Sequence, residues 1–382
     1  MDTVRTQFLS LTQPGSPFQL FHGESLTHAQ LAYETYGRLN ADKSNAVLVF
    51  HALSASQHAA GFNPAVAEAG DRWTDECQTG WWDGFIGPKK AIDTNLFFVI
   101  CVNWLGGCYG STGPSSVNPA TGSPFGSAFP RLALTDQVNA QVRLLDALGV
   151  EKLHAAIGAS LGGVLALNLA MRFPSRVRLV VPMCTGAQVT PLQRIHNFEQ
   201  VFAIETDPAF NGGDYDPSQP PNRGLAVARM IGHKTYVSLV AMQQRARDEI
   251  VSRSDDLSWY PLTSPLESYM LHHAQKFVRR FDANTYLRIL DAWQRLDLAA
   301  ESGCNTLDEA FMKCRNHKFL VFSIDSDVCF YPEEQAELME YFKRAGADAT
   351  RITVHTDKGH DSFLLEPNLF QPYLRAFLME NT

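Results

Sequence analysis

The sequence contains no C-x-x-C pair, no cluster of lysine and arginine, and no apolar run long enough to span a bilayer. Each absence excludes a class of protein. The seven cysteines, an odd number, are scattered from Cys77 to Cys329. Without paired spacing they suit neither a structural zinc site nor the disulfide framework of a small secreted domain. Acidic residues exceed Lys plus Arg by 40 to 32, so a basic nucleic-acid footprint is missing. A membrane-spanning helix needs roughly 20 consecutive apolar residues, and none is found. Met1 to Leu20 has no apolar segment behind a basic start, so no signal peptide is read there. The expectation is a cytoplasmic protein with no metal site, no resident cofactor, no membrane contact and no nucleic-acid partner.

What is present is a large core. Hydrophobic residues make up 45% of the 382, enough for one domain with an insertion or for two ordinary domains. Leu31 to Tyr36 alternates like a half-buried strand. Ala46 to Phe50 and Leu96 to Val102 are continuous apolar runs, the pattern of strands buried on both faces. A Gly/Ser/Pro-rich stretch, Leu105 to Pro130, is long for an idle loop. Helical spacing follows from Thr135 to Leu148, then a strand at Leu153 to Ile157, a helix from Gly162 to Phe173, and a strand at Val177 to Met183. Alternation of this kind predicts a mostly parallel sheet with helices on both faces. From about Gly186 to about Leu298 only helices and turns are read. The α/β pattern returns with a strand at Lys318 to Ile324, a helix at Glu333 to Ala345, a strand at Thr350 to His355, and a helix from about Pro367. Residues 1–185 and 299–382 are therefore expected to form one sheet domain, with 186–298 a helical lid.

Within that frame one pentapeptide carries chemistry. Gly158-Ala159-Ser160-Leu161-Gly162 follows a buried strand directly and opens a helix. That strand–turn–helix setting of G-x-S-x-G is the nucleophile elbow of the α/β-hydrolase fold. The turn is tight, so small residues must flank the serine. Its hydroxyl then projects beside a helix N-terminus, where negative charge is favoured. A serine needs a base, and the base an orienting carboxylate, in the chain order Ser, Asp/Glu, His. His360, in a loop after the last strand, is the best-placed base. His355, at the strand end, is the competitor. Asp325 and Asp327 both follow the preceding strand, and local sequence does not separate them; one of the pair is expected to bond its own backbone. The oxyanion hole is expected from the amides of Leu161 and of Leu53, in His51-Ala52-Leu53-Ser54.

Longer strings narrow the reading. Gly80-Trp81-Trp82-Asp83-Gly84-Phe85-Ile86-Gly87-Pro88, Asn103-Trp104-Leu105-Gly106-Gly107-Cys108-Tyr109-Gly110-Ser111-Thr112-Gly113-Pro114 and Phe281-Asp282-Ala283-Asn284-Thr285-Tyr286 resemble signatures of the homoserine O-acyltransferases of methionine biosynthesis. So do Ala91-Ile92-Asp93-Thr94 and Asn118-Pro119-Ala120-Thr121-Gly122. The likeness runs from about Leu31 to about Glu366. It implies an α/β-hydrolase fold with a helical lid, usually a homodimer, moving an acyl group from acyl-CoA to L-homoserine through an acyl-serine. By motif position it implies Ser160 as nucleophile, Asp327 as orienting acid and His360 as base. It also implies substrate contacts from Arg229, Tyr236 and Asp361. Arg229 suits the homoserine carboxylate as a fork, and Asp361 the ammonium.

Two positions depart from the family pattern. Ala159 stands where many members have glycine. Cys329 stands two residues after Asp327, where succinyl users carry arginine and acetyl users usually leucine. A neutral side chain there favours acetyl-CoA as co-substrate. The alternatives are succinyl transfer, serine as acceptor, or, in a different class, a serine esterase. A non-catalytic binding protein is disfavoured, because all three triad residues occur in order.

Overall fold

The computed structural model describes residues 3–246, 257 and 259–380. Residues 247–256 and 258, which belong to the stretch read as a helical lid, lie outside the described residues. Eight strands form the main sheet: β1 (Gln7–Ser10), β2 (Gln30–Tyr36), β3 (Ala46–Phe50), β4 (Phe98–Val102), β5 (Leu153–Ala159), β6 (Val177–Met183), β7 (Lys318–Ile324) and β8 (Asp348–Val354). Their spatial order is β1-β2-β4-β3-β5-β6-β7-β8. Only β2 runs against the others, being antiparallel to both β1 and β4. Every remaining pair is parallel.

The apolar runs become central strands because both of their faces are covered. Each residue of β3 and of β5 is buried. Alternate residues of β3 enter opposite cores. Leu48 and Phe50 join the cluster holding the helices Leu134–Ala147 (α1) and Leu161–Arg172 (α2). Val47 and Val49 join the cluster that includes Phe370, Leu374 and Leu378 of the last helix, Pro367–Met379. The α2 helix is apolar apart from Asn168 and Arg172 and is buried from Leu161 to Met171, as expected of a helix enclosed by a large core. Strand β1 has no sequence signal of this kind. It is a largely exposed edge strand, Gln7–Ser10, and periodicity misses it.

Between β6 and β7 the described residues form helices and turns. The main helices are α3 (Pro191–Glu205), α4 (Asn222–Tyr236), α5 (Leu239–Arg245), α6 (Pro265–Arg280) and α7 (Ala283–Gln294). Their starts are written locally. Thr190 and Gln193 form a capping box on α3, Ser264 and Glu267 one on α6, and Asp282 accepts from the Thr285 amide at the start of α7. Among the described residues, no helix is long and apolar enough to cross a membrane.

This topology places the site. The loops after β3, β5, β7 and β8 all leave the carboxyl ends of parallel strands, where open α/β sheets gather their chemistry. Those loops carry, in turn, Leu53, Ser160, Asp327 and His360.

Candidate active site

Ser160 is held with φ 58° and ψ −129°, a left-handed backbone for a non-glycine residue. Such strain costs about 1–3 kcal/mol and persists only where the surroundings impose it. The surroundings are backbone. A Cβ on Gly158 would lie 2.0 Å from the Gly162 oxygen, and one on Gly162 would lie 2.3 Å from the Phe50 oxygen. Glycine is required at both positions. Ala159 is not among the residues with positive φ, so its methyl group brings no backbone penalty. The departure at that position is therefore benign.

The candidate base and acid come from the loops after two other strands. His360 Nδ1 and Asp327 Oδ2 are 2.6 Å apart. The second Asp327 oxygen accepts from the amides of Cys329 and Phe330 at 2.8 and 2.9 Å. Both side chains are buried. Burial disfavours the imidazolium, yet the Asp327 carboxylate, with Asp361 and Glu334 nearby, holds His360 above its ordinary value. Among the described residues its Nε2 has no hydrogen-bond partner. Ser160 and His360 line the same cavity, of about 300 Å³.

The structure separates the two aspartates. Asp325 turns away: one oxygen pairs with the exposed His355 at 2.8 Å and the other accepts from the Thr356 amide at 3.0 Å. These contacts tie the end of β7 to the end of β8. His355 is thereby committed elsewhere.

Leu53 lines the cavity. Leu161 is the first residue of α2, so its amide is one of the donors a helix leaves uncommitted. The remaining sequence-selected residues belong to the same cavity. Arg229, Tyr236, Cys329 and Asp361 all line it. Arg229 stands over the rings of Tyr236 and Phe277, 5.4 and 4.8 Å from their centroids. Asp361 occupies the N-cap position of a four-residue helix, Ser362–Leu365, but its side chain makes no capping bond. Burial pushes its carboxyl above the ordinary value, opposed by His360, Arg229 and Arg245. The loop carrying His360 is stitched to the helical segment between β6 and β7: the Asp361 amide donates to Tyr236 O at 2.8 Å, and the Ser238 amide to Lys358 O at 3.2 Å. Burial raises the Cys329 thiol well above its usual range, so this side chain is a neutral wall.

Sequence reasoning passed over Tyr109, Trp81 and Arg280. Tyr109 donates to the backbone oxygen of Arg280 at 2.7 Å, and Arg280 Nη1 donates to Ser54 O at 3.0 Å. Trp81 reaches Ser56 O at 2.9 Å. All three line the cavity. Their only signal was position, in or beside the signature strings.

Fold and site together define an enzyme of the α/β-hydrolase class. A family model described as the alpha/beta hydrolase fold matches residues 45–367. A homoserine O-acetyltransferase of Solidesulfovibrio magneticus is 42% identical over 96% of this chain and 89% of that protein. A homoserine O-succinyltransferase of Saccharophagus degradans is also 42% identical, over 94% of this chain and 93% of that protein. Among solved structures, esterase E22 superposes with a TM-score of 0.86 at 27% identity, covering 98% of this chain and all of that one. The chain belongs to the homoserine O-acyltransferase family.

Proposed function

We propose that the enzyme moves an acetyl group from acetyl-CoA to the hydroxyl of L-homoserine, through an acyl-Ser160 intermediate, in the service of methionine biosynthesis. One observation carries the reading. The cavity that holds Ser160 and His360 is also lined by a guanidinium group, Arg229, and a carboxyl group, Asp361. That pair matches an amino acid carrying both a carboxylate and an ammonium.

In the first half-reaction Ser160 Oγ attacks the thioester carbonyl while His360 Nε2 takes its proton. The amides of Leu53 and Leu161 receive the developing oxyanion. Collapse of the tetrahedral intermediate breaks the C–S bond, and the thiolate leaves with the proton held by His360. In the second, homoserine gives its hydroxyl proton to His360 and attacks the acyl-serine. Ser160 leaves and recovers that proton. Asp327 keeps the proton-accepting nitrogen bare by fixing the other as N–H. Arg229, Tyr236 and Asp361 seat homoserine, and proximity makes its hydroxyl a better competitor than water. No resident cofactor or metal enters either half-reaction.

Cys329, buried and neutral, favours the acetyl group over an acyl chain ending in a carboxylate. A homodimer in the cytoplasm completes the proposal. Ile195, Phe198 and Phe202 lie on one stripe of α3 and are 54%, 62% and 58% exposed, an apolar face suited to a second copy. All seven cysteines are free, as a reducing compartment keeps them.

The test is a donor–acceptor matrix: acetyl-CoA and succinyl-CoA against homoserine and serine, following free thiol. Thiol release that requires homoserine and prefers acetyl-CoA is expected. Release indifferent to any acceptor would instead support an esterase, and a succinyl preference would reassign the donor. Ser160→Ala should abolish the acyl adduct seen by intact mass.

A further inference from the structure

An oxyanion donor works only if its peptide plane is held. The plane of Leu53 N–H also contains Ala52 C=O, and the two point in opposite directions because a peptide is flat. Whatever holds Ala52 O therefore aims the Leu53 amide. Residues 51–54 have no helix or strand pairing to do so. Ala52 O is instead 2.8 Å from His51 Nδ1 and accepts from the Ala55 amide at 3.2 Å.

We propose that His51 is a positioning residue of the oxyanion hole, its Nδ1–H donated to Ala52 O so that the Leu53 N–H stays aimed at the carbonyl oxygen of the acyl-Ser160 intermediate. The inference rests on the function proposed above and adds a residue to it. The His51 ring is 1% exposed and stacks on Trp104, with ring centres 5.3 Å apart. A carbonyl can only accept, so Nδ1 must carry the proton. Among the described residues the other nitrogen, Nε2, is buried without a partner, so the bond to Ala52 O is the ring's one hydrogen bond there. Burial holds the imidazole down to about 4, with the bond to Ala52 opposing this, so it remains neutral and keeps a single tautomer.

The surrounding packing gives that bond consequences. A Cβ on Gly162 would sit 3.0 Å from His51 O as well as 2.3 Å from Phe50 O, so the loop rests directly on the elbow. On the far side of Leu53, Arg280 Nη1 holds Ser54 O at 3.0 Å and meets the Tyr109 hydroxyl at 3.0 Å. The loop is pinned at the carbonyls before and after the donor. His51 Nδ1 and the Ala55 amide hold the Ala52 carbonyl, which shares its peptide plane with that donor, and His51 is the side chain among them.

The test compares three substitutions at one position. The side-chain nitrogen of asparagine occupies the place of Nδ1, whereas that of glutamine reaches toward the place of Nε2. Leucine has neither. The readout is the single-turnover rate of Ser160 acylation by acetyl-CoA without homoserine, together with steady-state kcat and KM and a thermal midpoint for each variant. His51→Leu should slow acylation about 100-fold, the size of a lost oxyanion donor, with KM for homoserine little changed. His51→Gln should fall similarly, and His51→Asn should recover most of the rate. Equal rates for Asn and Gln, a Leu variant within threefold of wild type, or a loss expressed wholly in KM would each overturn the inference. Rates that merely follow the thermal midpoints would overturn it too, because they describe a packing role. Absence of any acyl adduct in the wild type overturns the proposed function itself. A normal wild type with indifferent variants overturns only the role of His51.

Discussion

Replacing Asp327 with asparagine changes one atom and should cost nearly the whole rate. Asp327 uses one oxygen for the amides of Cys329 and Phe330 and the other for His360 Nδ1, 2.6 Å away. In Asp327→Asn the amide oxygen keeps the two backbone donors, so the NH2 group must face Nδ1. An NH2 group cannot accept. The imidazole must then carry its proton on Nε2, the atom that has to take one from Ser160. The wrong tautomer lowers kcat by about 10⁴ in the best-studied serine triad, or roughly 5 kcal/mol of barrier. A second effect has a defined sign. His360 is a base only when neutral, and Asp327 is the charge that most raises it. The acidic limb of kcat/KM for acetyl-CoA should therefore lie above the ordinary histidine value in the wild type and move to lower pH in the variant. The assay is thiol release against pH for the wild type, Asp327→Asn and Asp325→Asn. Asp325 bonds His355 and the Thr356 amide, away from the cavity, so its variant should keep the wild-type profile. An Asp327→Asn rate within tenfold of wild type, with an unmoved acidic limb, would refute the assignment.

Three other sites give measurable expectations. Cys329→Arg places a cation in the cavity wall; a charge-assisted contact worth about 1.5–3 kcal/mol should shift the succinyl-to-acetyl ratio of kcat/KM by roughly 10- to 100-fold. An unchanged ratio would mean that this position does not select the donor. Burial raises the Glu301 carboxyl to about 7 from an unfolded value of 4.5, so its contribution to stability is present below about pH 4.5 and lost as pH rises through about 7. Glu301→Gln should flatten that decline by up to about 3 kcal/mol, read from urea unfolding at pH 5 and pH 8 (approximate set points); parallel curves for both proteins would contradict it. Phe198→Asp, on the exposed α3 stripe, should convert a dimer to a monomer in sedimentation velocity, and a persisting dimer would place the interface elsewhere.

Much of the site was legible because its constraints are local. A nucleophile elbow needs small residues at fixed offsets from its serine, so Gly158 and Gly162 betray it in a single string. The central strands were legible because burial on both faces removes polar residues, as in Ala46–Phe50. Element ends came out within a residue or two. Strand β1 did not, since an exposed edge strand has no apolar pattern to read. Nor did the cavity roles of Tyr109 and Arg280, which lie about 170 residues apart in the chain and meet only across the fold.

By itself, then, the sequence determined the central strands, the elbow and the chain order of serine, aspartate and histidine. It also determined the family, through strings too long to arise from local structure alone. Tertiary structure decided which of two near-adjacent aspartates faces the histidine. Asp325 and Asp327 have the same chemistry and almost the same place in the chain. Only the packing of one strand end against the next turns Asp325 toward His355 and Asp327 toward His360. The contact of His51 Nδ1 with Ala52 O is likewise written in no motif. It depends on a buried ring stacked on Trp104 and on a loop resting against Gly162, contacts that exist only once the sheet has brought β3 beside β5.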